Sequence, residues 1–146
     1  DGTKGVLRMA KFHLVINTPT RVFYDQNVDS LVVKTFDGEI GILKGHEPVV
    51  IPIEVSPITI RNDSDTKKAY ISGGFMNVMD DIVEVFSDDA LWPEEIDIRR
   101  AEESVKRAET RIKTKDSQAE FARARASLAR AMARLEVAER GPKVIR

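Results

Sequence analysis

Cysteine is absent from all 146 residues, so the chain has no disulfide framework, no thiol nucleophile and no thiolate metal site. Histidine is nearly absent. His13 and His46 stand far apart, and neither has the Glu-x-x-His or Cys-containing spacing of a catalytic zinc site. His46, in "GHEP", reads as a turn or rim residue. No apolar run approaches the roughly 20 residues that span a bilayer, no signal-peptide order opens the chain, and it reads as soluble. There is no Gly-x4-Gly-Lys-Ser/Thr loop and no Gly-x-Ser-x-Gly elbow. "SGGF" and "DGEIG" are too short to cradle phosphate and read as turns. Nothing in this inventory resembles an active site.

What is present suffices for a packed fold: 42% of the residues are hydrophobic, enough for one ordinary domain or two small ones. The net charge of -1 conceals an asymmetry. From Pro93 onward, 14 lysines and arginines face 10 acids, a balance of +4, while residues 1–92 hold 9 against 14, a balance of -5. The basic half has no interleaved aromatics beyond Phe121 and its acids are well mixed in, which argues against nucleic-acid binding. Residues 1–8, "DGTKGVLR", precede Met9 without periodicity and read as a tag remnant or short extension.

Residues 9–92 read as short strands with turn punctuation. "FHLVIN" stops at "TP", "VDSLVVKTF" at "DGE", and "YISGGFMNVMDDIVEVF" as two strands around Met-Asp-Asp. Spacing of about ten residues without helical patterns predicts an antiparallel sandwich or barrel. Pro48, Pro52 and Pro57 deny ladder donors, so "EPVVIPIEVSP" is expected along a sheet edge or in irregular strands.

Residues 93–146 change period. Pro93 suits a first helical turn, with Glu94, Glu95 and Asp97 at the positive end of the helix dipole. Ala101, Val105, Ala108 and Ile112 recur on one face. After "KTKDSQ", Ser117 and Glu120 form a capping-box pattern, and Phe121, Ala124, Leu128, Ala131, Leu135 and Ala138 continue the stripe. The short break implies an antiparallel hairpin. About half of this seam is alanine, each burying one methyl at about 0.8 kcal/mol, against an ordering cost of about 1–2 kcal/mol per residue. Such a hairpin is marginally docked and suited to two arrangements.

The run "IDIRRAEESVKRAE" admits two readings. Glu102 with Lys106, Glu103 with Arg107 and Glu109 with Lys113 have favourable i, i+4 order, which makes a solvated, ion-paired face. Alternatively, Asp97, Arg100, Ser104 and Arg107 line one face, and Arg130 and Arg134 of the second helix return beside it. Guanidiniums gathered this way suit a multivalent anion such as phosphate.

At these residues a resemblance emerges. "TPTRVFYDQNVDSLVV", "DGEIGILKGHEPVV", "YISGGFMNV", "IDIRRAEESVKRAE" and "FARARASLARAMARLEVAE" resemble, in order, the epsilon subunits of bacterial F-type ATP synthases, over nearly everything from Met9 to about Arg140. The resemblance implies an α+β chain: an N-terminal antiparallel β-sandwich that binds the rotor, then a C-terminal antiparallel α-helical hairpin that regulates. It implies a noncatalytic central-stalk subunit of a proton- or sodium-translocating synthase, peripheral on the cytoplasmic face of the bacterial inner membrane. Partners would be the gamma subunit, the c-ring and the alpha/beta catalytic hexamer, with membrane contact only through the complex. The hairpin would move between a folded-down state and an extended state that blocks ATP hydrolysis. ATP would be a regulatory ligand favouring the folded-down state, and no cofactor is required. By match to the family's nucleotide hexad and helix arginines, Ile96, Asp97, Arg100, Ala101, Arg107, Arg130 and Arg134 would hold ATP, and Glu39 and His46 would contact the rotor. ATP-binding relatives often carry an acid five positions before the hexad's isoleucine. Here that position is Leu91, so one expected contact lacks its carboxylate. The alternatives are the same rotor subunit without a nucleotide site, and a stand-alone ATP-sensing module. The resemblance also implies that a chain ending near Ser87 folds and joins the rotor without controlling hydrolysis.

Overall fold

The computed structural model describes residues 10–114 and 117–139; residues 1–9, which include the possible tag or extension at 1–8, and residues 115–116 and 140–146 lie outside them. Eight strands precede two helices. They are β1 (Phe12–Asn17), β2 (Val22–Val28), β3 (Ser30–Thr35), β4 (Gly38–Ile42), β5 (Val49–Asn62), β6 (Asp65–Val78), β7 (Ile82–Phe86) and β8 (Ala90–Leu91). A 3-10 turn at Pro93–Glu95 leads to α1 (Ile98–Lys113) and α2 (Gln118–Glu139).

Hydrogen bonding runs β2-β1-β7-β6-β5-β3-β4, with β8 paired to β6. All pairs are antiparallel except β1 with β7. The two 14-residue strands β5 and β6 make the sandwich, because each belongs to both layers. Residues 75–78 of β6 pair with β7, whereas Tyr70 and Ile71 pair with β8. The switch falls at Gly73 and Gly74, with φ of 94° and 127°. A Cβ on Gly74 would overlap the Phe86 carbonyl oxygen, so the bend requires glycine there.

Alternation builds the core. Phe12, Leu14 and Ile16 of β1 point inward against Leu31, Val33, Ile58, Ile60, Met76 and Val85. The expectation for the proline-rich segment is met in an unexpected way, since β5 is central in the strand order. Over Pro52 and Pro57 it pairs only with β6, because β3 joins it only at Thr59–Arg61. That half of β5 is an edge, where a missing N–H removes no ladder bond.

The first long helix does not begin at Pro93, as its sequence suggests. Trp92 stacks on Phe23 at 4.3 Å, and Arg21 donates both guanidinium nitrogens to Glu95 at 2.8 Å. These contacts hold the 3-10 turn to the sandwich. Ile96 is then extended, and α1 starts only where Asp97 caps it by accepting from the Arg100 N–H at 3.1 Å. Ser117 caps α2 as expected, accepting from the Glu120 N–H at 3.1 Å.

The helices form the antiparallel hairpin, and α2 packs on β5, β6 and the 3-10 turn. The seam alanines Ala101, Ala108, Ala124 and Ala131 are buried. Val105, Ile112, Phe121, Leu128, Leu135 and Ala138 are only partly covered. Ala133 and Val137, outside the predicted stripe, are buried with Tyr70 and Ile96. A single-stripe reading misses them because α2 has two apolar contacts, one with α1 and one with the sandwich.

Candidate functional site

Asp97 caps α1, and one and two helical turns later Arg100 and Ser104 follow on the same side. Arg134, near the end of α2, returns beside them. Together they line a cavity of about 240 Å³. Its remaining walls are Asp89 and Leu91 from the sandwich, Glu95 and Ile96 from the connection, and Ala101 of α1. The cavity therefore closes only when both helices and the sandwich are in contact.

Asp89 is placed by backbone bonds: its N–H donates to Ser72 Oγ at 2.9 Å, and its carbonyl accepts from the Ser72 N–H and from Ser87 Oγ. Its side chain brings a carboxylate to the wall two residues before Leu91, where no acid was expected. Glu95 is already engaged. The Arg21 guanidinium bonded to it holds its carboxyl below the usual range, helped by the Trp92 N–H. Asp97 is occupied in capping. Arg100 and Arg134 form no ion pair among the described residues. The Arg134 guanidinium lies 4.9 Å from the centroid of the Tyr70 ring.

The structure thus gathers Ile96, Asp97, Arg100, Ala101 and Arg134 on one cavity. Arg107 and Arg130 are not on its wall. Each turns along its own helix, Arg107 to Ser104 Oγ at 3.0 Å and Arg130 to Ser127 Oγ at 3.2 Å. The expected i, i+4 pairs on α1 also differ. Arg99 pairs with Glu103 at 3.6 Å, and among the described residues Glu102–Lys106, Glu103–Arg107 and Glu109–Lys113 do not form, since these side chains are exposed and water competes for them.

Glu39 and His46 are not brought together. Glu39 is the second residue of β4 and lines a cleft shared with Met132 and Glu136 of α2. His46 lies in the turn beyond the other end of β4, with Nδ1 2.9 Å from the Glu47 carbonyl oxygen. Lys44 fastens that turn to Asp81 at 2.9 Å. Sequence reasoning missed Asp89, Glu95 and Tyr70 as site residues. Only the two adjacent acids at Asp88 and Asp89 gave any local signal.

A β-sandwich with a docked helical hairpin, and a charged cavity at their junction, defines a two-part α+β protein. The family model described as ATP synthase, Delta/Epsilon chain, beta-sandwich domain matches residues 11–93, and the one described as ATP synthase, Delta/Epsilon chain, long alpha-helix domain matches residues 94–139. The ATP synthase epsilon chain of Caldicellulosiruptor bescii is 43% identical over 93 residues, covering 64% of this chain and 68% of that protein. That of Caldanaerobacter subterraneus subsp. tengcongensis is 49% identical over 92 residues, covering 62% and 67%. Among solved structures, a chain of the Euglena gracilis mitochondrial ATP synthase OSCP/F1/c-ring assembly superposes with a TM-score of 0.76 at 22% identity, over 85% of this chain and 79% of that one, and so shares the fold. The chain belongs to the ATP synthase delta/epsilon family, as an epsilon subunit of the bacterial F-type enzyme and a noncatalytic component of its central stalk.

Proposed function

We propose that this subunit joins the gamma subunit and the c-ring through its sandwich and restrains ATP hydrolysis through its hairpin, with ATP as the ligand that favours the docked arrangement. The observation that carries the reading is the cavity at the junction. Arg100 of α1 and Arg134 of α2 reach it without carboxylate partners, while its other wall belongs to the sandwich. A ligand bound to both arginines tethers the hairpin, and one present at about 100 times its dissociation constant stabilises the bound state by about 2.7 kcal/mol. Released, the hairpin carries its basic charge toward the alpha/beta hexamer, where acidic surfaces would receive it.

The cavity is smaller than the roughly 300–1,000 Å³ of typical ligand sites. A nucleotide therefore enters with one portion only, and the remainder lies along α1 toward Arg107. Guanidiniums suit the phosphates, while Asp89 and Asp97 suit amino and hydroxyl donors of base or ribose. No helix among the described residues is long and apolar enough to cross a membrane. As the family resemblance implies, attachment to the membrane would be through the complex, on the cytoplasmic face. For the rotor contact, His46 lies on the turn after β4 and Glu39 near the start of that strand, so a partner surface that meets both extends along β4.

A second reading has one observation in its favour: the cavity wall carries three carboxylates against two guanidiniums. On that reading the arginines balance protein charge and no nucleotide binds. Calorimetric titration of the full chain with ATP separates the two. The nucleotide reading requires saturable binding that weakens in Arg100→Ala and Arg134→Ala; no heat at millimolar ATP leaves the charge-balance reading.

A further inference from the structure

Tyr70 is among the largest fully buried side chains and lies on β6 opposite Leu91 of β8. Ile96, Ala133 and Val137 cover it, so its burial depends on the connection and on docked α2. Its hydroxyl is the one buried side-chain polar atom without a hydrogen-bond partner among the described residues. Burial also pushes that hydroxyl above the ordinary tyrosine range, which keeps it a protonated donor at neutral pH. Across the ring lies the Arg134 guanidinium, which lines the cavity. One side chain therefore touches both the docking core and the anion-binding candidate.

We propose that Tyr70 couples the cavity to hairpin docking: its ring seats the Arg134 guanidinium at the cavity wall, while its unpartnered hydroxyl holds α2 to a loosely docked state. The physical basis is an asymmetry. A buried donor without a partner loses its hydration, and undocking of α2 restores it. The ring face attracts the guanidinium in either tyrosine or phenylalanine, so the two effects separate by substitution. The ring half of the proposal rests on the nucleotide reading, whereas the hydroxyl half concerns the ligand-free chain.

The test uses the full-length protein with Tyr70→Phe and Tyr70→Leu, read by amide exchange without ligand and by ATP calorimetry. Tyr70→Phe removes the orphan hydroxyl and keeps the ring, so α2 amides exchange about tenfold more slowly while ATP affinity stays equal or rises. Tyr70→Leu removes the seat, so ATP affinity falls about fivefold although every arginine remains. Amides of β1, which pairs with β2 and β7 away from α2, confirm that each variant is folded. Unchanged or faster α2 exchange in Tyr70→Phe overturns the hydroxyl half. ATP affinity untouched by Tyr70→Leu, in a chain where Arg134→Ala weakens it, overturns the ring half. If the unsubstituted chain binds no ATP, the nucleotide reading and the ring half fall together, and the exchange result still decides the hydroxyl half.

Discussion

Arg130 and Arg134 stand one helical turn apart on α2, yet only Arg134 reaches the cavity. A charge-assisted contact contributes about 1.5–3 kcal/mol, so Arg134→Ala should lower ATP affinity by about tenfold or more. Arg130→Ala should lower it by less, since that side chain turns to Ser127. Calorimetry on the two variants gives the order, and a larger loss at Arg130 would place the nucleotide outside this cavity. Asp97→Asn preserves the cap, because asparagine caps as well as aspartate, so any change in binding reports the lost charge rather than a frayed α1. Away from the site, Asp29 accepts the Asp63 N–H and the Lys11 ammonium, and these hold its carboxyl below the ordinary range. A lowered carboxyl contributes stability that is present above its unfolded value of about 3.9 and is lost as pH falls through the folded value. Thermal melts should therefore drop on acidification below about pH 4, and Asp29→Asn should flatten that drop. The caps were legible because a helix start is local: Asp97 and Ser117 bond three residues away. The clasps were not, because Arg21 meets Glu95 across 74 residues and Lys11 meets Asn62 across 51.

The hairpin has a different kind of stability from the strands. Its buried contacts with the sandwich reduce to Ala133, Val137 and a few partly covered neighbours around Tyr70 and Ile96. The sandwich core, by contrast, buries Leu14, Ile16, Leu31, Ile42, Ile58 and Ile60 almost completely. Amides between Ile98 and Glu139 should therefore exchange faster than those of β3 and the middle of β5, in the absence of ligand. Comparable protection in both would contradict a hairpin poised between two arrangements. The pivot is also placed. The 3-10 turn is gripped by Arg21, so on the proposed reading hairpin motion would fall on the extended Ile96 and the cap Asp97. Removing the grip with Arg21→Ala should loosen the turn, raising exchange at Glu95 and Ile96 while β1 and β7 stay protected. At this scale the helices, their antiparallel pairing and the alanine seam were legible from period alone. The second face of α2 was hidden, since Ala133 and Val137 lie nearly opposite the predicted stripe, on the side that a single-stripe reading gives to solvent. The two strands around Met-Asp-Asp are β6 and β7 as read, whereas "SGGF", read as a turn, lies inside β6, because the bend at Gly73 and Gly74 leaves the strand continuous while looking like punctuation.

For the whole molecule, the boundary between the two parts decides what can be removed. The period changes at Trp92 and, with the family resemblance, makes strands and helices separate units, so that a chain ending near Ser87 is expected to fold. The structure argues otherwise. Ala90 and Leu91 form β8 against β6, Trp92 stacks on Phe23 and meets Tyr24 edge-on at 5.9 Å, and Glu95 anchors Arg21. A chain ending at Ser87 loses all of these, and removal of a packed tryptophan alone costs about 3–5 kcal/mol in a core, with somewhat less here because Trp92 is only partly buried. That is a large share of the roughly 5–15 kcal/mol that stabilises an ordinary domain. A chain ending at Ile96 keeps every contact between the turn and the sandwich and discards only the helices. Ending there exposes the Tyr70 hydroxyl to water, which relieves its orphaned state. Denaturant titration of both truncated chains should give the longer one a cooperative transition and the shorter one a midpoint markedly lower. The longer chain should assemble with the gamma subunit and the c-ring while leaving ATP hydrolysis unrestrained, since the restraint is assigned to α1 and α2. Equal midpoints for the two chains would mean that β8, Trp92 and the Arg21 clasp contribute nothing to the sandwich. A chain ending at Ile96 that still restrained hydrolysis would move the regulatory element out of the hairpin altogether.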